Sequence, residues 1–280
     1  MWTRRRGSRL PAVVAGLCDD AAVFPPGLAP LPAAVRAYRE RQAEWYAELA
    51  GPLVLSAAAL PELARLLDAG AEPLPLSVTL PDGPAGLPGV LTDAAALPVD
   101  LRSVEVAVPT GVTAAEVVDR IGDPAVEVYV EVPRDERRLP VIEAVAGRYR
   151  AKFRTGGVRA ELYPGEAELA SSVAAVVAAG VPFKATAGLH HAVRNTDPET
   201  GFEQHGFLNL LLATDALVRG GGEPEARALL AERDGGVVAG LVRELDAERV
   251  RAAFTSFGTC SLTDPLDDLV RLGLVEGAAS

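Results

Sequence analysis

Short runs of branched aliphatic residues alternate along this chain with longer stretches whose apolar positions recur every three or four residues. Eight runs read as strands: 12–16, 52–56, 74–80, 103–108, 126–132, 149–154, 182–187 and 253–258. Helical spacing covers 31–49, 61–69, 114–121, 138–146, 165–179, 206–218 and 264–272. Several strands are apolar almost throughout, as parallel strands covered on both faces must be. Strand and helix alternating eight times predict an α/β chain folded as a single (β/α)8 TIM barrel over 1–280. An open doubly wound sheet is disfavoured, because no Gly-x-Gly-x-x-Gly follows the first strand and Gly220, Gly221 and Gly222 follow a helix as a connector.

Two connections depart from the repeat. Segment 81–89 is rich in Pro and Gly, with little helical signal before Asp93. About sixty residues separate the seventh and eighth strands, which predicts a helical insertion of two or three helices and a polar loop near 194–203. In helix 31–49, Tyr38, Trp45 and Tyr46 fall near one face, which suits core packing or the contact surface of a homo-oligomer.

Composition narrows the function. The chain is 49% hydrophobic and 23% charged, with a net charge of −11. It holds no basic patch with interleaved aromatics, so nucleic acid and anionic membrane are poor partners and a small-molecule substrate is the better one. The first residues, Met-Trp-Thr-Arg-Arg-Arg, lead into an apolar stretch at 10–17 that contains Pro11 and is followed by Asp19 and Asp20. That reads as a basic tail before a first strand rather than an export signal. Cys18 and Cys260 make neither a disulfide framework nor a metal motif, which points to a reducing cytoplasm. They also fall on the first and eighth strands, which adjoin in a closed barrel.

Two of the 27 cationic residues are lysines, Lys152 and Lys184. An arginine stays protonated in proteins, whereas a lysine amine can lose its proton and attack a carbonyl. Alternation places Lys152 with Arg154 on one face of the sixth strand, and Lys184 with Thr186 on one face of the seventh. Adjacent strands would bring the amines together, where like charge and burial lower a lysine pKa. Glu105 and Glu131 end the fourth and fifth strands and are expected to pair with the lysines and move protons. One of Asp19 and Asp20 should cap the next segment and the other serve the site, with Asp20 taken as the site residue.

The motifs Lys152-Phe153-Arg154-Thr155-Gly156, Lys184-Ala185-Thr186-Ala187-Gly188 and Gly258-Thr259-Cys260-Ser261 follow one another on the sixth to eighth strands. Together with Glu105 and Glu131 they resemble the class I aldolases of the deoxyribose-phosphate aldolase type, over roughly 103–262. The resemblance implies a lyase with no cofactor, an imine on Lys152, a second lysine at Lys184 that keeps that amine neutral, and proton transfer by Glu105 or Glu131. It also implies substrate contacts from Thr155, Thr186, Gly188, Gly258, Thr259 and Ser261, with amides near Gly188 and Gly258 forming an anion nest. Three features depart from the family. Arg154 replaces a small residue, Leu189-His190-His191 replaces a glycine-rich continuation, and the last insertion is longer.

All three histidines, His190, His191 and His205, lie in that insertion. One reading has His190 donate a proton and His191 bind a substrate carboxylate beside Arg154 and Arg194. The alternative joins His190, His191, Glu203 and His205 in a divalent-metal site of a barrel hydrolase or lyase. A third reading is a relative that binds a metabolite without converting it.

Overall fold

The computed structural model describes residues 10–68 and 70–277, so the basic tail and position 69 of the second expected helix lie outside the described residues. Parallel strands β1 (Cys18–Asp20), β2 (Ala50–Ser56), β3 (Leu74–Leu80), β4 (Val99–Val106), β5 (Glu127–Glu131), β6 (Arg150–Arg154), β7 (Phe183–Thr186) and β10 (Phe254–Thr259) close into a barrel. Their order is β1-β10-β7-β6-β5-β4-β3-β2. The remaining strands, β8 (Asn195–Thr196) and β9 (Glu203–Gln204), pair antiparallel as a separate hairpin.

Helices α1 (Leu31–Arg41), α2 (Leu60–Leu66), α3 (Leu87–Ala95), α4 (Ala114–Ile121), α5 (Arg138–Val145) and α6 (Glu166–Ala178) follow the first six strands in turn. After β7 come the hairpin and four helices, α7 (Phe207–Val218), α8 (Glu223–Ala231), α9 (Gly235–Arg243) and α10 (Ala247–Ala253), then β10 and α11 (Thr263–Arg271). The helical insertion between the seventh and eighth barrel strands is therefore present, with one helix more than the pattern predicts. Asp234 and Asp246 start α9 and α10 by accepting hydrogen bonds from the first-turn amides, which separates the two helices.

Local chemistry explains the boundaries. Thr113 and Glu116 form a reciprocal capping box at α4, and Gly122 ends it at φ +68°, a conformation favoured by glycine. In segment 81–89 a short turn over Pro84–Gly86 runs straight into α3, and Pro88 does not break the helix because it sits in the first turn, where no intrahelical amide is needed. α1 stops at Arg41 instead of 49, so Trp45 and Tyr46 sit in the following turns, edge to face at 5.5 Å. Buried Tyr38 donates to the Gly51 carbonyl at 2.9 Å, which assigns that part of the aromatic set to the core.

The first strand is displaced from its expected position. Residues 12–16 form a turn in which the Val14 and Ala15 amides donate to Pro11 and Gly16 takes φ +59°. Leu10, Val13, Val14 and Leu17 are buried there without being extended. The strand itself is Cys18–Asp20. Cys18 pairs in register with Phe257, so Cys260 lies beyond the other end of β10 and the two thiols are not neighbours.

Alternation inside β6 and β7 sets what faces inward. Phe153 and Phe183 meet edge to face at 5.4 Å, and Phe183 stacks on Phe254 at 5.1 Å, forming an aromatic row of the apolar core. Each buried ring is worth about 1.5–3 kcal/mol over an exposed one, so this row fixes the strand orientation that turns Lys152 and Lys184 the other way.

Candidate functional site

Register carries the two lysines together: Lys152 pairs with Lys184 across β6 and β7, Glu131 pairs with Lys152, and Ser256 pairs with Lys184. Residues opposed in a parallel ladder point the same way, so these side chains converge inside the barrel. An alternating chain of charge results. Asp19 binds the Lys184 ammonium, which donates to Glu105 Oε1 at 2.6 Å. Glu105 Oε2 lies 2.8 Å from Lys152 Nζ, and Glu131 Oε2 lies 3.1 Å from the same nitrogen. Arg154 Nε closes the chain 3.4 Å from Glu131 Oε1.

Hydroxyls complete the buried end. Ser256 donates to Asp19 at 2.8 Å, and Ser77 donates to Glu105 at 3.2 Å while bonding Ser103 at 2.8 Å. The Lys184 ammonium also stands 5.2 Å from the centre of the Tyr129 ring, whose hydroxyl bonds Thr255 at 3.1 Å. Burial grades along the chain: the Lys184 side chain is 2% exposed, Glu131 24% and Arg154 42%. The Arg154 end therefore meets solvent, and the Asp19 end is the floor.

The charges hold one another ionised. Burial alone would lower the pKa of Lys152, but the facing charges of Glu105 and Glu131 more than reverse it, and the amine titrates above its ordinary range. Lys184 behaves likewise between Asp19 and Glu105. The surroundings thus favour the ammonium form of both amines, against the expectation that Lys184 keeps Lys152 neutral: at Lys152 the charges of Glu105 and Glu131 outweigh the like charge of Lys184. Burial would raise Glu105, but the two ammonium groups hold it well below the usual carboxylate range. Glu131 is also lowered, by Lys152 and Arg154 acting against burial. Burial pushes the Asp19 carboxyl up more than Lys184 pulls it down.

A cavity of about 330 Å³ opens above this chain at the carboxyl ends of the strands. Glu105, Glu131, Lys152, Arg154 and Lys184 form its charged side, together with Thr186, Gly258 and His190. Phe24, Val54 and Leu80 form an apolar side. His190 sits with Nδ1 3.7 Å from the Cys260 sulfur, and burial lowers its pKa, which favours the neutral imidazole. This is the end of a barrel that hosts active sites in enzymes of this architecture.

Other expected site residues lie elsewhere. Asp20 is the cap, accepting from the Ala22 amide at 3.0 Å and from Arg41 at 2.7 Å, so Asp19 joins the ion chain and the expected assignment is exchanged. The Thr155 hydroxyl donates to the Ala187 carbonyl at 2.7 Å, anchoring a turn in which Ala187 takes φ +66° and Gly188 φ +73°. A Cβ on Gly188 would stand 2.7 Å from the Tyr163 ring and 3.1 Å from the Gly156 Cα, so these glycines serve close packing of two loops. Thr259 donates to the Ser261 carbonyl at 2.8 Å, and the Ser261 hydroxyl bonds Thr263 at 3.0 Å. His191 Nδ1 lies 3.1 Å from Asp268 Oδ2, away from the cavity.

The alternative metal set does not assemble. His205 Nδ1 accepts from Arg194 at 3.2 Å while Nε2–H donates to the Pro164 carbonyl at 2.8 Å, which leaves the ring no lone pair to offer. Glu203 binds Arg194 at 3.1 Å and also Arg233. Among the described residues no group of three or more His, Cys, Asp or Glu side chains is arranged to hold a metal ion, and no helix is long and apolar enough to cross a membrane.

Sequence reasoning missed several contributors. Gly51 carries no chemistry, yet a Cβ there would overlap the Asp19 carboxylate, so only glycine leaves Asp19 free to face Lys184. Ser77, Ser256 and Tyr129 support the ions from strands whose composition looks structural, and only the register connects them to the lysines. No protein-family model matches the chain, and no curated protein matches it.

Proposed function

We propose that this barrel is a lyase of the class I aldolase kind, acting on a small anionic carbonyl compound through an imine on Lys152. One observation carries the reading: the Lys152 amine forms part of the cavity wall with a carboxylate on either side, at 2.8 and 3.1 Å. An ammonium cannot attack a carbonyl, so its proton must leave first. Glu105 is held ionised by two ammonium groups, whereas Glu131 is half-open to the cavity and owes part of its lowered pKa to Arg154. A substrate anion that engages Arg154 removes that support, Glu131 gains proton affinity, and it takes the proton from Lys152.

The neutral amine then adds to the carbonyl carbon. The resulting oxygen receives two protons through Glu131 and leaves as water, so ammonium and carbonyl become protonated imine and water. In the cleavage direction that cation takes the electron pair of the neighbouring carbon–carbon bond to become an enamine, while the substrate hydroxyl gives up its proton and its fragment leaves as an aldehyde; condensation is the reverse. His190, neutral and at the rim, is the base or acid for the substrate hydroxyl. Lys184, with its side chain 2% exposed, positions Glu105 from beneath.

Borohydride reduction with a panel of aldehydes and 2-oxo acids, followed by peptide mass mapping, tests the reading. A reduced adduct on Lys152 that is absent from Lys152→Met is the expected result, and no adduct across the panel overturns it. A second reading, a metabolite-binding barrel without turnover, is favoured by one observation: each lysine nitrogen contacts two carboxylates. It predicts that Lys152→Met retains ligand affinity.

A further inference from the structure

The cavity has two unlike sides, and the second has no part in the imine chemistry. Phe24 and Pro25 come from the loop after β1, Val54 from β2, Leu80 and Pro81 from the end of β3, and Leu162 from the loop after β6. Val54 and Leu80 are fixed members of the barrel core, 4% and 5% exposed, and the half-buried Ser56 and Thr79 line the cavity beside them. The loop bearing Phe24 is also held in place. Its Gly27 packs so closely on Cys260 that an added Cβ would meet the Cys260 Cβ at 2.9 Å, and the Ala29 amide donates to the Ala22 carbonyl at 2.9 Å. Val158, 69% exposed, is part of the cavity rim on the loop after β6. An apolar wall with this support is a surface built for an apolar group.

The charged side, in turn, has little to offer a phosphate. Each lysine already contacts two carboxylates, and Arg154, with a single 3.4 Å contact to Glu131, is the cation of this cavity with donors to spare. In the glycine turn Gly156 and Gly188 pack against Tyr163, and the Thr155 hydroxyl donates to the carbonyls of Thr186 and Ala187, so no further cationic side chain is supplied there. Gly258 is held in the barrel ladder between Asp19 and Thr186.

We propose that the compound this site takes is a carbonyl compound with one carboxylate and an apolar chain, and not a phosphorylated sugar. The carboxylate pairs with Arg154, the carbonyl faces Lys152, and the chain lies along Phe24, Val54 and Leu80. This rests on the barrel-mouth site proposed above, but not on imine formation.

Calorimetric titration of the full chain with 4-methyl-2-oxopentanoate, phenylpyruvate, pyruvate, 2-deoxyribose 5-phosphate and the carbonyl-free 4-methylpentanoate separates the outcomes. The branched and aromatic oxo acids are expected to bind at least about tenfold more tightly than pyruvate or the sugar phosphate, the gain from burying an isobutyl or benzyl group. Phe24→Ala should remove most of that difference. Val158→Asn, a neutral change at a position exposed enough to leave folding intact, should weaken the apolar acids more than pyruvate. Equal affinity across the panel, tighter binding of the sugar phosphate, or no binding at all overturns the proposal. Selective binding of the apolar oxo acids with no borohydride adduct on Lys152 from any of them would sink the lyase reading and leave this one standing. Adducts formed equally by pyruvate and its apolar congeners would do the reverse.

Discussion

Two clusters in this barrel are made of nearly the same materials, and only one of them opens on a cavity. Inside the strands, Lys152, Lys184, Asp19, Glu105 and Glu131 form an ion chain whose upper end is a cavity wall. In the insertion, Arg194 binds Glu166 at 2.7 Å, Glu203 at 3.1 Å and His205 at 3.2 Å. The second cluster, with its histidine and carboxylates, looks more reactive as sequence, yet it works as a clamp. It fastens the β8–β9 hairpin to the loop after β6, where Tyr163 also meets Phe202 at 5.5 Å. Charged residues carry chemistry where at least one partner can be exchanged for a ligand. In the clamp Arg194 is shared among Glu166, Glu203 and His205, while Arg154 keeps a single protein contact, to Glu131, at the cavity.

The largest expected contrast is covalent. Lys152→Met should abolish the borohydride adduct completely, whereas Arg194→Met should leave it forming at Lys152, both read by peptide mapping. Loss of the adduct in both variants would make the clamp part of the site and break the comparison. Next comes stability. Glu105→Ala leaves two buried ammonium groups facing each other and should cost about 3–5 kcal/mol in denaturant unfolding. Arg194→Met removes bonds to partly exposed carboxylates and should cost about 1–2 kcal/mol, with faster proteolysis at 197–201. A reversed order would show that the clamp, not the ion chain, is the stability centre.

Acid and alkali sharpen the same contrast. The depressed pKa of Glu105 gives stability that is complete above its unfolded value of about 4.3 and is lost as pH falls through the folded value. Asp19, pushed up by burial, acts in the opposite sense and makes that acid limb shallower. The raised Lys184 gives stability complete below about 10.4 and lost as pH rises through its folded value. The ion chain therefore leaves the neutral range flat, and Glu105→Gln should shallow the acid limb of stability measured by unfolding at graded pH. A slope unchanged by that substitution would remove Glu105 from the account.

The smallest effect belongs to the insertion. His191, raised by its hydrogen bond to Asp268, stabilises below its ordinary pKa of about 6.5 and stops doing so as pH rises through the folded value. The ring is 44% exposed, so His191→Asn should cost less than about 1 kcal/mol near pH 5 and less still near pH 9.

Much of the barrel was legible. β3 falls where its run of Leu, Val and Thr lies, and β6 and β7 lie within a residue or two of their expected limits, because a strand buried on both faces must be apolar and short. The first strand failed for the converse reason. The apolar run at 10–17 marks burial but contains Pro11 and Gly16, and it buries itself as a turn, while the true strand ends in two aspartates that no hydrophobic pattern would select. The exchange of roles between Asp19 and Asp20 was equally hidden, since it depends on Arg41 standing beside one and Lys184 beside the other.

By itself the sequence determined the alternation of strand and helix, the inward parity of Lys152 and Lys184, and the rarity of lysine that drew attention to them, because these follow from backbone period and residue identity alone. Only the tertiary structure decided the carboxylate partners of those amines, the dispersal of the clustered histidines to different surroundings, the need for Gly51, and the apolar part of the cavity wall. Each of those depends on what stands within a few ångströms across the barrel, and strand register, closure and loop packing bring together residues that are far apart in the chain.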